Sequence, residues 1–176
     1  GLGADKRMFQ NFSFEGFEVV HIDWDLPLEN ETLQNYALRI SENIKDENAI
    51  LIGLSFGGIL SVEISKIKKF KKVFLLSSAK TKFEIPFYYR FLGKLNLLKI
   101  IPNSILKRVN YLTYLVFGAK TNFEKNLLKD IIKNTDKHFL KWALHQIINW
   151  ENIVFSENII HIHGNKDVIL PHKYLK

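Results

Sequence analysis

Two kinds of hydrophobic pattern alternate along the first half of the chain. Residues 17–22 (FEVVHI) read as a strand, and after the turn residues around Pro27 the apolar positions Leu33, Tyr36, Ala37, Ile40 and Ile44 recur at helical spacing. The unit then repeats. Residues 49–52 are apolar on consecutive positions, which predicts a strand buried on both faces. Residues 56–69 come next as a helix, with Leu60, Ile64 and Ile67 on one stripe and Lys66, Lys68 and Lys69 gathered at the carboxyl end, where cations suit the helix dipole. Residues 73–76 (VFLL) give the next strand. Strands alternating with amphipathic helices imply right-handed βαβ crossovers and a parallel sheet.

The alternation stops after Ala79. From there to Trp150 helical stripes take over, for example Leu127, Leu128, Ile131 and Ile132, then Phe139, Leu140, Ala143, Leu144 and Ile147. A strand returns at residues 158–163 (NIIHIH) and ends at Gly164, so residues 80–150 read as a helical cap inserted into one sheet. Residues 1–79 form the first part of the core and residues 151–176 its incomplete return. Inserted helices over the carboxyl ends of parallel strands would cover a site placed there. The plainer alternative is that the same stripes are core-facing helices of a larger single layer.

At 176 residues and 47% hydrophobic, the chain can bury a substantial core as one domain with an insertion. No apolar run is long enough to span a membrane and the amino end carries no signal-peptide pattern, so a soluble protein, cytoplasmic by default, is expected. The absence of cysteine excludes disulfides, thiolate metal sites and a cysteine nucleophile. The net charge of +7 is uneven: residues 80–150 hold 13 Lys/Arg against 4 Asp/Glu. Such a segment could steer an acidic partner or an anionic substrate, although a lysine-rich composition throughout the chain accounts for it equally well. No motif points to nucleic acid.

Within this frame, Gly53-Leu54-Ser55-Phe56-Gly57 sits where the second strand meets its helix. Gly-x-Ser-x-Gly at a sharp strand-to-helix turn is a nucleophile elbow: Gly53 and Gly57 relieve crowding on either side of the apex, and the Ser55 hydroxyl projects above the sheet edge. The helix opening at Phe56 points unpaired N–H groups at the same place, where an oxyanion would develop. The alternative is a Gly-Ser loop ahead of an ordinary helix. Asp167, in HGNKDVILP just past the returning strand, can reach the same rim, and serine before acid is the order of an α/β-hydrolase triad. Its alternative is a turn residue capping the next helix.

These residues resemble the α/β-hydrolase superfamily, carboxylesterase type, including the pimeloyl-carrier-protein methyl ester esterases. The likeness runs through GLGADKRMF at the start, HIDW at 21–24, GLSFGG at 53–58 and HIHGNKDVILP at 161–171. It implies an α/β-hydrolase fold, with a mostly parallel sheet, helices on both faces and a helical cap. It implies Ser55 as nucleophile, Asp167 as acid, and an oxyanion hole from the backbone N–H groups of Phe56 and Leu2. No cofactor and no metal are implied. The partners implied are a small-molecule ester and, for the basic segment, an acidic acyl carrier protein.

Two departures from the family pattern stand out. A strand normally runs into the loop that here opens the chain at Gly1, and the catalytic histidine normally comes one more strand after the acid. Truncation at both ends and loss of the histidine are therefore expected, which leaves these 176 residues inactive by themselves. Among the histidines present, His21, His161 and His163 sit on or beside strands as structural residues, His138 and His145 belong to the cap, and only His172 comes after Asp167, five positions on. HIH at 161–163 is a weak zinc pattern that a strand end explains better. The leading expectation is an ester hydrolase working through an acyl-enzyme; a hydrolase-like protein that only binds a small ligand is the alternative. Thioesterases, amidases and C–C hydrolases share the same triad, so bond type and acyl group stay open.

Overall fold

The computed structural model describes residues 1–46, 48–95, 102 and 107–175. Three parallel strands, β1 (Ile50–Leu54), β2 (Lys72–Leu76) and β3 (Ile159–Ile162), form a sheet in the order β1-β2-β3. Leu51 pairs with Val73 and Leu54 with Leu76, while on the other side Val73 pairs with Ile159 and Leu76 with Ile162. All three carboxyl ends therefore lie on one rim. β2 is central, and its Val73 and Leu75 are fully buried, each contributing about 1.5–3 kcal/mol of transfer free energy. β1 is a strand as predicted, but Ile50, Leu51 and Ile52 are only half-buried. As an edge strand among the described residues, it is covered less than its unbroken apolar run suggests.

The helix α1 (Leu33–Ser41) begins where the Thr32 hydroxyl accepts from the Asn35 N–H, and it buries Leu33, Tyr36, Ala37 and Ile40 as the stripe requires. It stops short of Ile44. α2 (Phe56–Ile67) leaves β1 directly, lies against β1 and β2, and packs on α1. Eight of its twelve residues are buried, from Phe56 to Ile64. Residues 80–150 supply α3 (Phe87–Lys94), α4 (Tyr111–Val116), α5 (Asn122–Asn134) and α6 (Lys137–Ile148). The parts of the expected cap at 96–101 and 103–106 lie outside the described residues. α6 packs on both α3 and α2 and sends Phe139 and Ala143 into the same core as α1 and α2. An aromatic cluster closes that junction: Trp24 stacks on Phe56 with centroids 5.5 Å apart, Phe139 lies 5.1 Å from Trp24, and Trp142 lies 4.6 Å from Tyr36.

The expected strand at 17–22 does not form. Phe17, Val19, Val20 and Ile22 are exposed, and the segment makes no ladder with any described strand. β-branched and aromatic residues make a segment able to be a strand, but a strand exists only when a neighbour takes its backbone N–H and C=O groups. None lies beside this one among the described residues.

Candidate active site

Ser55 occupies a backbone position that few non-glycine residues adopt, with φ 52° and ψ −119°. Such conformations cost of order 1–3 kcal/mol and persist only when the surroundings impose them. Here the exit of β2 does so. The Ser55 N–H donates to the Leu76 carbonyl at 2.8 Å, and the Ser78 hydroxyl donates to the Ser55 carbonyl at 2.7 Å. Gly58 N–H donates to the same carbonyl at 2.8 Å, which starts α2 without help from the serine side chain. The hydroxyl is thus left with no hydrogen-bond partner among the described residues.

The glycines divide differently from the sequence expectation. A Cβ on Gly53 would come within 2.4 Å of both the Gly57 carbonyl oxygen and the Ser61 hydroxyl, so strand and helix touch there through backbone. A Cβ on Gly57 would meet nothing nearer than 3.6 Å. Gly58 is the second crowded glycine: its Cβ would fall 2.3 Å from the Ser78 hydroxyl. The α-helix carries Gly57 around the first turn toward the mouth of the elbow, while Gly58 points back at the β2 exit. Spacing alone could not separate two adjacent glycines, though the doubled Gly-Gly was the available signal.

The opening loop borders the elbow. The Gly1 nitrogen lies 3.6 Å from the Cβ position of Gly57, and Leu2 packs against the core. The Phe56 and Leu2 backbone N–H groups have no acceptor among the described residues.

Asp167 lies in a turn closed by its own N–H donating to the Gly164 carbonyl at 3.1 Å. Its Oδ1 accepts from Ile169 and Leu170 N–H groups at 2.8 and 2.9 Å, which is the turn-capping alternative to a catalytic acid. Its Oδ2 faces His163 Nε2 at 3.3 Å. Because β1 and β3 flank β2 in parallel, the carboxyl ends of β1 and β3, after which Ser55 and the Asp167 loop follow, lie on the same rim, two strand spacings or about 10 Å apart.

The fold separates the histidines. His172 is exposed, in the short 3-10 turn His172–Tyr174, and neither Asp167 nor Ser55 hydrogen-bonds its ring. The histidine that meets Asp167 is His163, which is nearly buried at 4% side-chain exposure. His163 Nδ1 contacts His161 Nε2 at 3.3 Å, and His161 Nδ1 lies 4.0 Å from Glu84, a fully buried carboxylate. The register of β3 and the fold-back of its loop create this chain, and nothing in the spacing HIH revealed it. No group of three or more acidic or histidine residues among the described residues could hold a metal ion, and no described helix is long and apolar enough to cross a membrane. A cavity of about 350 Å³ lined by Ser65, Lys69, Phe70, Ser156, Glu157 and Asn158 opens beside the amino ends of β2 and β3, the rim opposite Ser55.

Neither the protein-family models nor the curated proteins contain a match to this chain.

Proposed function

We propose that Ser55 is the nucleophile of a serine hydrolase of α/β-hydrolase type that cleaves a carboxylic ester. The observation that supports this best is the strained Ser55 between β1 and α2, its hydroxyl unpaired among the described residues and its main chain held by the β2 exit. In this reading Ser55 Oγ attacks the ester carbonyl and gives up its proton to a base. The Phe56 and Leu2 N–H groups hold the oxyanion, and the alkoxide leaves with that proton as an alcohol. Water then attacks the acyl-serine and releases the carboxylic acid. Asp167 orients the base in this reading. Half-buried Trp24, whose ring comes to 3.8 Å from the Cβ position of Gly57, offers the acyl group an apolar contact beside the elbow. An acidic acyl carrier protein remains the partner suited to the basic segment.

A second reading has one observation in its favour: no described histidine hydrogen-bonds Ser55. A protein that binds a small ester or acid without turnover needs no base. A fluorophosphonate probe on the full-length protein separates the two. Labelling at Ser55 that disappears in Ser55→Ala supports the hydrolase. Labelling that survives the substitution removes Ser55 from the reaction. No labelling, together with a thermal shift on adding a non-hydrolysable ester analogue, supports the binding protein.

A further inference from the structure

The opening loop meets the elbow helix on one side and the cap on the other. Gly1 to Ala4 form a tight turn, closed by the Ala4 N–H donating to the Gly1 carbonyl at 3.1 Å, with Gly3 at φ 65° in its third position. The Gly1 nitrogen lies 3.6 Å from the Cβ position of Gly57 in the first turn of α2. A Cβ on Gly3 would fall 1.9 Å from the Thr135 hydroxyl oxygen and 2.6 Å from its methyl carbon, so the turn rests directly on that side chain. Leu2 is therefore held between two contacts, one on α2 and one at the end of α5. The Trp24 indole N–H, donating to the Ala4 carbonyl at 2.9 Å, ties the far end of the turn.

Thr135 is a firm seat for this turn. It closes α5 as the residue after Asn134 and precedes Asp136, which caps α6. It is buried, and its hydroxyl donates to the Ile131 carbonyl at 2.7 Å. A β-branched side chain has few χ1 choices, and this bond selects one of them. One turn earlier in α5, Asp130 receives Arg7: Nη1 donates to Asp130 Oδ2 at 2.6 Å, while Nε and Nη2 form a fork on Asp5 at 2.9 and 2.7 Å. Asp130 Oδ1 accepts from the Asn134 amide at 2.9 Å, and Arg7 holds both carboxyls below their usual range. All three charged groups are partly exposed, so water screens the bridge and its contribution is orientation more than stability.

We propose that Thr135 is a positioning residue for the backbone N–H of Leu2, with the Arg7–Asp130 pair as its brace, so that the junction of α5 and α6 sets the place of this donor beside the elbow. The role rests on the hydrolase reading, in which Leu2 and Phe56 share the oxyanion. The Phe56 N–H is placed by α2 itself, whereas the Leu2 N–H is placed by the cap. Oxyanion donors act only when they are fixed where charge develops, and the opening turn belongs to no sheet ladder that would fix it. A displacement of this donor by about 1 Å is expected to slow acyl transfer by about 100-fold and to leave binding of the ester nearly unchanged.

A double-mutant cycle on the full-length protein, read as kcat and KM for p-nitrophenyl acetate, tests the role. Gly3→Ala pushes the turn off Thr135 and should lower kcat by about 100-fold with KM within about twofold. Thr135→Gly removes the three atoms nearest that Cβ, so the double variant should recover at least about tenfold of the loss. Two changes that merely destabilise the fold would add instead. A double variant no faster than Gly3→Ala, or a loss carried by KM, would overturn the proposal. The seat is also read without turnover and with milder changes: Asp130→Asn and Thr135→Ser should each shift the Leu2 and Gly3 amide resonances. Amides that do not move would overturn the seat. A protein whose amides respond but whose Ser55 takes no fluorophosphonate would overturn the hydrolase reading, and with it the oxyanion role of Leu2, while the contact stands. The two failures are thus distinguishable.

Discussion

The helices α2 and α5 are almost equal in length but are held in opposite ways. α2 starts at Ser55 with no side-chain hydrogen bond at its amino end, and eight of its residues are buried. α5 starts with a reciprocal box, in which Thr121 accepts from the Glu124 N–H and Glu124 accepts from the Thr121 N–H, yet only Ile131 is buried. α4 repeats this pattern with Asn110 and Thr113 and buries nothing. Local capping stabilises a helix that has little tertiary contact, by about 1 kcal/mol per cap. Where burial is extensive the cap can be given up. Ser55, whose residue type usually caps a helix, makes no such bond here.

The largest test of this contrast is at the glycines. Gly53→Ala drives a Cβ against backbone and should lower the urea midpoint of the whole protein by the equivalent of about 3 kcal/mol or more. Gly58→Ala meets the more adaptable Ser78 side chain and should cost about 1–3 kcal/mol. Gly57→Ala should be neutral or slightly stabilising, since alanine is favoured over glycine within a helix by about 1 kcal/mol. Equal loss at Gly57 and Gly53 would break the account of the elbow.

A smaller effect is expected at the capped helices. Thr121→Ala should cost about 1 kcal/mol, seen as faster hydrogen exchange over the first turn of α5 with little change in the global midpoint. A global loss would mean that α5 is coupled to the core as tightly as α2 is.

The smallest effect is a titration. The Phe139 and His138 N–H groups hold the Asp136 carboxyl below its ordinary value of 3.8 at the start of α6. A carboxylate depressed in the folded state stabilises above its unfolded value, and that contribution is lost as pH falls through the folded value. The backbone shifts of residues 137–139 should therefore move toward coil below about pH 3.8, and Asp136→Asn should flatten the response. A curve unchanged by the substitution would place the effect elsewhere.

The parts legible in sequence are those decided within a few residues. β1, α2 and β2 come from local apolar pattern, and the Ser55 turn comes from its own glycines. Parts that depend on a distant neighbour were not legible. Residues 17–22 have every local mark of a strand but no partner among the described residues to complete it. The crowding that selects Gly58 over Gly57 comes from Ser78, and the meeting of His163 with Asp167 depends on how the loop after β3 folds back. The two carboxylate oxygens of Asp167 show the same division: its turn-capping bonds span two or three residues and are readable locally, whereas the histidine chain reaching Glu84 is not.

The exit of β2 has a consequence for how this protein can diverge. Leu76 and Ser78 bind the main chain of Ser55 on one side, and Ser77 donates to the Ile162 carbonyl of β3 at 2.9 Å on the other. These three residues act as a ruler between the two halves of the candidate site. A single insertion there would displace Ser55 and the loop bearing Asp167 relative to each other. The connection around α4 and α5 closes its own helix ends, so it can gain or lose residues and leave that measurement unchanged. Length variation among descendants of this chain should collect in that connection and be absent from residues 76–78.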